Sequence, residues 1–369
     1  MIFQNLLMEV VGTKTVEEAL KKLEFIVVVD TMMSETAEFA DIVIPGTTYL
    51  ERYDLNNHWV TWPVLGLRQP VVRPLFGQPA EYEFVCELGR RLGLREANGN
   101  DVFWVGRMSG ERIEDKTRWY EEFLSRELKE GEPKITLEEL KRLPGAVWVS
   151  KKGTRYNKHL DPISSEKLAE AIVEGGLVFS KKKDGSKDKP IGMLREDGSA
   201  VRGFFTPSGK LELYAAKHVG KKDAEDKSLH ALPAYEPRDW QPTPEYPLFL
   251  INWKEASQTH SRTQNNAFLA ELKATDGLRI NTKTAARLGI KQGDLVLVES
   301  PYGNVKMQAE LTEGIHPEVV GTQHGWGHWA MGRIANGRGA HTGFLAQTKA
   351  DPVSGQSLNK EICVKVYKA

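Results

Sequence analysis

One stretch of the chain concentrates side chains that can hold a polyanionic ligand. It follows the apolar run 248–251 and is rich in hydroxyl, amide and cationic groups: Asn252, Lys254, Thr259, His260, Ser261, Arg262 and Asn266. The guanidinium of Arg262 can bind a pyrophosphate through two parallel hydrogen bonds, and the ammonium of Lys254 can pair with it as a point charge. Polar surface loops whose side chains satisfy one another have a similar composition. The residue types alone leave both interpretations open.

A second candidate is Asp30, which ends the apolar run 25–29. In doubly wound sheets, ligands lie beyond the carboxyl ends of the strands. A carboxylate there can accept two hydrogen bonds from a guanine edge or from ribose hydroxyls. The same position also suits an acid that caps a helix or a turn.

The elements around Asp30 alternate between helix and strand. Residues 16–23 have the pattern of an amphipathic helix, and 25–30 that of a buried parallel strand. A helix capped by Ser34 and a second buried strand at 42–45 are expected next, and a helix at 80–93 after them. This alternation predicts part of a doubly wound α/β domain.

The rest of the chain divides into a mixed segment and a strand-rich region. Residues 101–230 predict helices at 111–128, 137–143 and 165–172, then a turn and strand at 205–214. Prolines crowd the linker that follows. The last region predicts a helix at 282–288 capped by Thr282, and strands near 294–300, 304–311 and 361–367. Its glycine-rich turns at 325–329 and 337–343 suit either close approach to a ligand or barrel corners.

Composition excludes several classes of function. The 369 residues carry a formal net charge of +0, which argues against general nucleic-acid binding. No run of 18 apolar residues predicts a membrane span, and residues 1–24 lack the pattern of a signal peptide. The two cysteines, Cys86 and Cys363, cannot hold an iron–sulfur cluster alone, and both are predicted to be core residues.

Several motifs resemble the molybdopterin oxidoreductases, the dimethyl-sulfoxide-reductase family. They are the strand ending at Asp30 with Ser34–Ala37, Ala40–Pro45 and Glu51, the stretch Leu67–Pro74, the marker Thr206–Leu213, the loop Thr259–Asn266, and the run Ala285–Ser300 with its turn at Gly303. The loop is most similar to the branch that includes the polysulfide, thiosulfate, tetrathionate and arsenate reductases.

This resemblance implies a fold of α/β plus β type. Residues 1–100 would be the C-terminal part of a nucleotide-binding, doubly wound α/β domain, and 101–230 a mixed α+β segment. A proline-rich linker at 231–247 would lead to a six-stranded, double-psi-like β-barrel at 248–369. In the family, that barrel binds the molybdopterin dinucleotide.

The resemblance also implies a cofactor, molybdenum or tungsten bis(molybdopterin guanine dinucleotide). The residues expected to bind it are Asp30, Thr31, Glu81, Asn252, Lys254, Thr259, His260, Ser261, Arg262, His341 and Lys365. No metal ligand is expected in this chain. Candidates to meet an anionic substrate, a small sulfur or arsenic oxyanion, are His324, His328 and Arg333. Asparagine is common in the family where this chain has His341 and Gly343, which is a departure from the pattern.

The resemblance covers about the C-terminal half of a family member. It implies an upstream N-terminal half that carries the iron–sulfur cluster and the metal ligand, an iron–sulfur partner for electron transfer, and a membrane anchor. The compartment would be cytoplasmic, or periplasmic if the chain is exported with that half. An alternative is a non-catalytic cofactor-binding or scaffold protein, or a truncated remnant. A nicotinamide dehydrogenase is disfavoured, because no Gly-x-Gly-x-x-Gly follows a strand.

Overall fold

The computed structural model describes residues 1–57, 64–96, 99, 116–127, 135–143, 145–148, 157–204, 206–235, 237–238, 240–357 and 362–369. The chain forms two compact units. The first, here called the barrel unit, contains residues 1–52, 70–94 and 236–369, and the second, the middle unit, contains 53–69 and 95–235. Within the described ranges, no helix is both long enough and apolar enough to cross a membrane.

The described elements are nine helices and fifteen strands. Helices α1 to α9 are Leu6–Glu9, Thr13–Leu20, Glu81–Arg91, Lys116–Glu127, Leu137–Arg142, Ser165–Ala169, Ala267–Leu272, Thr282–Leu288 and Gly332–Ala335. Strands β1 to β15 are Val27–Asp30, Ile42–Pro45, Asp54–Asn57, Val64–Arg68, Ala146–Trp148, Ile172–Glu174, Leu177–Lys181, Lys187–Leu194, Ala200–Val201, Leu248–Trp253, Leu278–Asn281, Leu295–Ser300, Gly303–Thr312, Val319–Gln323 and Ile362–Lys368.

Six strands close into a barrel in the order β10-β14-β11-β13-β12-β15, which confirms the six-stranded barrel that was expected. The pairs β10/β14 and β11/β13 are parallel, and the other pairs are antiparallel. Alternate residues point inward because side chains alternate along a strand. The fully buried core includes Ile280, Val296, Val298, Val320 and Val364.

The barrel helix α8 is capped one residue earlier than the sequence suggested. Asn281, not Thr282, is the N-cap, and its Oδ1 accepts a hydrogen bond from Lys283 N at 2.9 Å. Thr282 is the first helical residue, and its hydroxyl donates to Glu313 instead. Asn281 takes the capping position because its short amide reaches the free N–H group from an extended backbone.

The N-terminal part of the barrel unit contains the parallel pair β1/β2, with Asp30 beside Pro45. Strand β1 is buried against a core that includes Leu7, Leu20 and Ala37. Strand β2 is less buried than expected, with Ile42 48% exposed, because β1 is its one partner in the described sheet.

The expected helix capped by Ser34 is also shorter than predicted. It is reduced to a 3-10 turn, Ala37–Phe39, and the Ser34 hydroxyl donates to Asp30 Oδ2 at 2.7 Å instead of capping a helix. Both cysteines are buried, as predicted, in α3 and β15. Burial raises the pKa of the Cys86 thiol to about 11.

The middle unit has two antiparallel sheets, β3-β4-β5 and β6-β7-β8-β9. Strand β4 pairs with β5, and residues 53–69 belong to the middle unit. The predicted helices appear as α4, α5 and α6 with shorter bounds, α4 being the described part of 111–128. The strand expected within 205–214 is not formed by the described residues 206–214, which make turns instead.

Candidate functional site

The polar loop that joins β10 to α7 displays most of the predicted cofactor-binding side chains. Lys254, Thr259, His260 and Arg262 are exposed, whereas Ser261 is buried. The loop ends at Asn266, whose Oδ1 accepts from Phe268 N at 3.0 Å and Leu269 N at 3.2 Å and so caps α7. The loop is therefore anchored at both ends, while its cations face outward.

The middle of this loop is held in a conformation that few residues adopt. His260 has φ of +47°, and its carbonyl accepts from Gln264 Nε2 at 2.6 Å. A Cβ at Gly325 would lie 2.1 Å from that same carbonyl oxygen, so only glycine permits the contact. The glycine-rich turn at 325–329 thus supports the loop directly.

One contact brings a predicted cofactor residue next to a predicted substrate residue. Lys254 Nζ lies 3.1 Å from His260 Nε2, and His260 Nδ1 lies 3.4 Å from His324 Nε2. The ammonium can only donate, so His260 Nε2 accepts and its Nδ1 carries the hydrogen that faces His324. The three side chains form a chain of hydrogen bonds that runs from the Lys254 ammonium through His260 to His324. A cation at one end of such a chain suits an anionic ligand.

The loop also contains a buried donor that lacks a partner. Gln258 accepts from the Thr263 hydroxyl at 2.7 Å through Oε1, but its Nε2 is buried and has no hydrogen-bond partner among the described residues. Buried donors are normally paired. Together with Lys254 and Arg262, this unpaired donor fits a ligand rich in phosphate and carbonyl oxygens, such as a dinucleotide.

Asp30, Thr31 and Glu81 meet at the carboxyl end of β2. Asp30 accepts from Thr31 N at 2.7 Å. A Cβ on Gly46 would lie 3.0 Å from Glu81 Oε1 and 3.3 Å from the Asp30 carbonyl carbon, so this glycine lets both residues approach. Glu81 is paired with Arg52. The predicted nucleotide-binding acids therefore do share one edge of the sheet.

The other predicted residues are placed differently. His341 is buried, and its Nε2 lies 2.8 Å from Thr13 Oγ1 and 3.0 Å from Leu7 O. Burial lowers the pKa of His341 to about 4, so it is neutral near pH 7. Lys365 Nζ pairs with Glu299 at 2.9 Å. Their role toward the cofactor stays a prediction, as does that of Asn252, which is partly buried at the end of β10.

The structure places the three substrate candidates in different surroundings. His324 adjoins His260, and His328 is 1% exposed and bonded to Glu35. Arg333 is exposed on α9. A further loop histidine, His58, lies outside the described residues. No group of three or more potential metal-ligating side chains occurs within the described ranges.

Sequence patterns do not single out two buried carboxylates, Glu35 and Asp276. Glu35 lies inside a motif without standing out from it, and Asp276 belongs to no motif. Asp276 is 3% exposed, accepts from the Thr322 hydroxyl and from Gln323 N, and lies beside no cation in those contacts. Burial therefore raises its pKa to about 6. A lone acid in the short link between α7 and β11 gives no periodic signal that would mark it as buried.

Comparison with known protein families matches two segments of the chain. Residues 248–362 match the molydopterin dinucleotide binding domain, and residues 2–91 match the molybdopterin oxidoreductase domain. The structure is similar to acetylene hydratase from Pelobacter acetylenicus, with a TM-score of 0.66 and 22% identity, over 100% of this chain and 44% of that one. At this identity the likeness shows the fold alone.

Curated relatives agree with that assignment. The sulfite dehydrogenase of Allochromatium vinosum is 27% identical over 94% of this chain and 39% of its own length. The molybdopterin-containing thiosulfate reductase of Salmonella typhimurium is 27% identical over 93% and 39%, and the arsenate respiratory reductase of Chrysiogenes arsenatis 27% over 92% and 41%. The chain thus spans about two fifths of the length of these relatives.

The fold and the site therefore define a dinucleotide-binding β-barrel protein with an α/β partner segment. The chain belongs to the molybdopterin oxidoreductase family, also called the dimethyl-sulfoxide-reductase family. The cofactor that these two domains indicate is molybdenum bis(molybdopterin guanine dinucleotide), in agreement with the expectation from the motifs.

Proposed function

We propose that this chain forms the cofactor-binding C-terminal part of an enzyme that reduces or oxidises a small sulfur or arsenic oxyanion. The observation that carries the proposal is the loop between β10 and α7, which exposes Lys254 and Arg262 and contains the buried, unpaired Gln258 amide. It lies in the segment that matches a molydopterin dinucleotide binding domain. The substrate class comes from the names of relatives, which include a sulfite dehydrogenase, a thiosulfate reductase and an arsenate reductase.

The residues of this chain would bind and orient the cofactor. Arg262 and Lys254 suit its pyrophosphate, and the hydroxyl of Thr259 can donate to phosphate or pterin heteroatoms. Asp30 suits the guanine edge, because its carboxylate keeps lone pairs beyond those bonded to Thr31 and Ser34. When bound, the cofactor supplies two-electron redox chemistry at molybdenum.

His324 would meet the anionic substrate from its place beside His260. The partners proposed for the chain are an upstream half with the iron–sulfur cluster and the metal ligand, an iron–sulfur electron-transfer protein, and a membrane anchor. Two facts support these partners: the relatives are much longer than this chain, and their names describe them as subunits.

The test is the metal and guanosine content of the purified chain, alone and co-expressed with the proposed upstream half. We expect molybdenum or tungsten with about two guanosine nucleotides per chain on co-expression. The double variant K254M/R262M should lose most of that nucleotide. The matched control K183M removes an exposed lysine of the β7–β8 turn and should change nothing.

Absence of metal and nucleotide from both preparations would overturn the enzymatic proposal. It would leave a scaffold or remnant with the same fold. Full nucleotide content in K254M/R262M would remove the loop from the cofactor site while leaving the family assignment intact.

A further inference from the structure

The side chains of Glu35 and His328 form a pair that is entirely buried, with 0% exposure of each. His328 Nδ1 lies 3.0 Å from Oε1 and 3.1 Å from Oε2 of the carboxylate. The backbone N–H groups of Trp329 and Ala330 donate to Oε1 at 2.9 and 3.1 Å, and Asn5 Nδ2 donates to Oε2 at 2.6 Å. The carboxylate is thus fixed from four directions, and it fixes the imidazole in turn.

The charge of Glu35 decides which nitrogen of His328 carries the hydrogen. Burial by itself would raise the pKa of Glu35, but the hydrogen bond from His328, the charge of that ring when it is protonated, and the bonds from Asn5 and Ala330 lower it to about 2. An ionised carboxylate can only accept hydrogen bonds. Nδ1 must therefore be the protonated nitrogen, and in the neutral imidazole Nε2 keeps its lone pair.

That lone-pair nitrogen has no partner. His328 Nε2 is buried and makes no hydrogen bond to any described residue. His341, on the neighbouring glycine-rich turn, is different, because its Nε2 is bonded to Thr13 and Leu7. Buried polar atoms without a partner are rare and call for a specific explanation, such as a ligand or an ordered water. The atom left unpaired in His328 is the one whose lone pair can accept a proton.

We propose that His328 Nε2 is a proton acceptor toward a hydroxylated ligand, either water or a protonated oxyanion, and that Glu35 is its positioning residue. In the proton step, an O–H bond of the ligand breaks, the oxygen keeps the electron pair, and an N–H bond forms at Nε2. The imidazolium so formed is stabilised by the Glu35 carboxylate. The reverse step returns the proton to oxygen. The ligand class rests on the proposed function, whereas the pairing of Glu35 with His328 does not.

Electrostatic neighbours of the pair include His341, whose own pKa is influenced by both members and by His324. Because His341 is neutral near pH 7, it adds no charge to the site there. Asn5 is uncharged, and it is tied to Thr36 through its other amide atom, Oδ1. Glu35 is thus the group in contact with His328 that sets its tautomer.

The first test reads the tautomer directly in the full chain. Two-bond ¹H–¹⁵N spectra of histidine-labelled protein resolve the ring nitrogens, and H328Q identifies the His328 signals among the nine histidines. We expect the Nδ1–H tautomer in the unchanged chain and loss of that preference in E35Q. The matched control is E51Q, since Glu51 also accepts two backbone N–H bonds, from Thr48 and Leu75, in the same unit.

An Nε2–H tautomer of His328, or a preference that survives in E35Q, would overturn the role of Glu35. If E35Q does not fold, E35D keeps the charge on a shorter side chain and should retain the Nδ1–H tautomer. Arsenate added to the unchanged chain distinguishes the ligand sources. A shift of the Nε2 resonance indicates a protonated oxyanion, and exchange with water without that shift indicates water. The absence of both responses would overturn the role of His328 Nε2 as a proton acceptor.

The second test uses the co-expressed complex. H328Q should lower kcat by about 100-fold or more, and E35Q by a smaller factor of about 10–100. E35Q should also move the acidic limb of the pH–rate profile to lower pH, an effect that a merely structural role would not produce. Metal and nucleotide content must match the unchanged complex. A complex that carries no metal would contradict the proposed function. It would not affect the tautomer result, which is measured on the chain alone.

Discussion

Two buried carboxylates hold the same segment of the chain, but their pKa values are shifted in opposite directions. Asp276 binds its start, at Thr322 and Gln323, and Glu35 binds its end, at 328–330. Burial raises the pKa of Asp276 to about 6, whereas His328 and its neighbours lower that of Glu35 to about 2. Although both acids are buried, their pKa values shift in opposite directions, because an imidazole faces Glu35 and none faces Asp276 in these contacts. The segment is therefore held by one acid that binds a proton near pH 6 and by one that stays ionised to much lower pH.

The largest expected effect comes from removing the imidazole. H328A leaves the buried Glu35 carboxylate without its imidazole partner, which we expect to lower the free energy of unfolding by about 3–5 kcal/mol. Urea denaturation at pH 7 measures it. The double variant E35Q/H328Q, which removes the buried carboxylate together with its imidazole partner, serves as the control and should recover part of the loss. A loss below about 1 kcal/mol in H328A would show that the two side chains do not pair in solution.

Asp276 and His341 should make stability depend on pH in opposite directions. Asp276 binds its proton more tightly when folded, so its contribution falls as pH rises from about 4 to 6. Burial lowers the pKa of His341 from 6.5 to about 4, so its contribution rises with pH across nearly the same window. Each shift corresponds to about 3 kcal/mol. The two slopes nearly cancel, and we expect a flat stability profile between pH 4 and 6.

The variant D276N removes the contribution of Asp276 to the pH dependence of stability. Its stability should rise by about 3 kcal/mol from pH 4 to 6.5, because the His341 slope is then unopposed. Thermal or urea unfolding across that range measures the change. Glu35 contributes separately below this window, where stability is lost as pH falls from 4.5 toward 2. A D276N profile as flat as that of the unchanged protein would contradict the assignment of Asp276 as the opposing group.

A smaller effect tests the support of the ligand loop. Gly325 and Gly293 both have positive φ, +95° and +80°, but only a Cβ at Gly325 would meet a neighbour, the His260 carbonyl oxygen. Both G325A and G293A should cost about 1 kcal/mol from backbone strain. G325A should cost more and should also reduce guanosine content in the co-expressed complex. Equal effects of the two variants would mean that the turn does not support the loop.

The smallest effect on stability is expected at Lys365. Its ammonium pairs with Glu299 on the barrel surface, and such pairs contribute little. K365A should leave the midpoint of thermal unfolding unchanged. If Lys365 also binds the dinucleotide, the same variant lowers the guanosine content of the co-expressed complex, and T282A is the control. Unchanged guanosine content would remove Lys365 from the predicted cofactor site.

Much of the barrel could be predicted because its signal is local. Strands such as β12 alternate buried and exposed residues, and the turn at 301–304 matches the hairpin between β12 and β13. The ligand loop is also visible as a dense polar run. The predicted strand near 211–214 failed for the opposite reason, because its alternation is local but the described structure gives it no neighbouring strand.

The most informative contacts of the site could not be predicted. Glu35 and His328 are 293 positions apart, and Thr13 and His341 are 328 apart. Nothing in the residues beside Glu35 shows that a histidine will face it. Pairing at such separation is decided by how β1 and the barrel pack, which single-sequence patterns do not encode. For the same reason, the sequence indicates His328 as a substrate candidate but does not indicate the acid that orients it.

The position of β15 in the barrel has a consequence for how the protein is made. This strand lies between β10 and β12, and it joins Leu248 to Val364 and Val298 to Val366. A ribosome must therefore finish residues 362–368 before the barrel can close, and until then β10 and β12 each expose an open edge. Such late, long-range closure is slow and leaves an aggregation-prone folding intermediate. A chaperone that shields these edges during synthesis would raise the yield of folded chain.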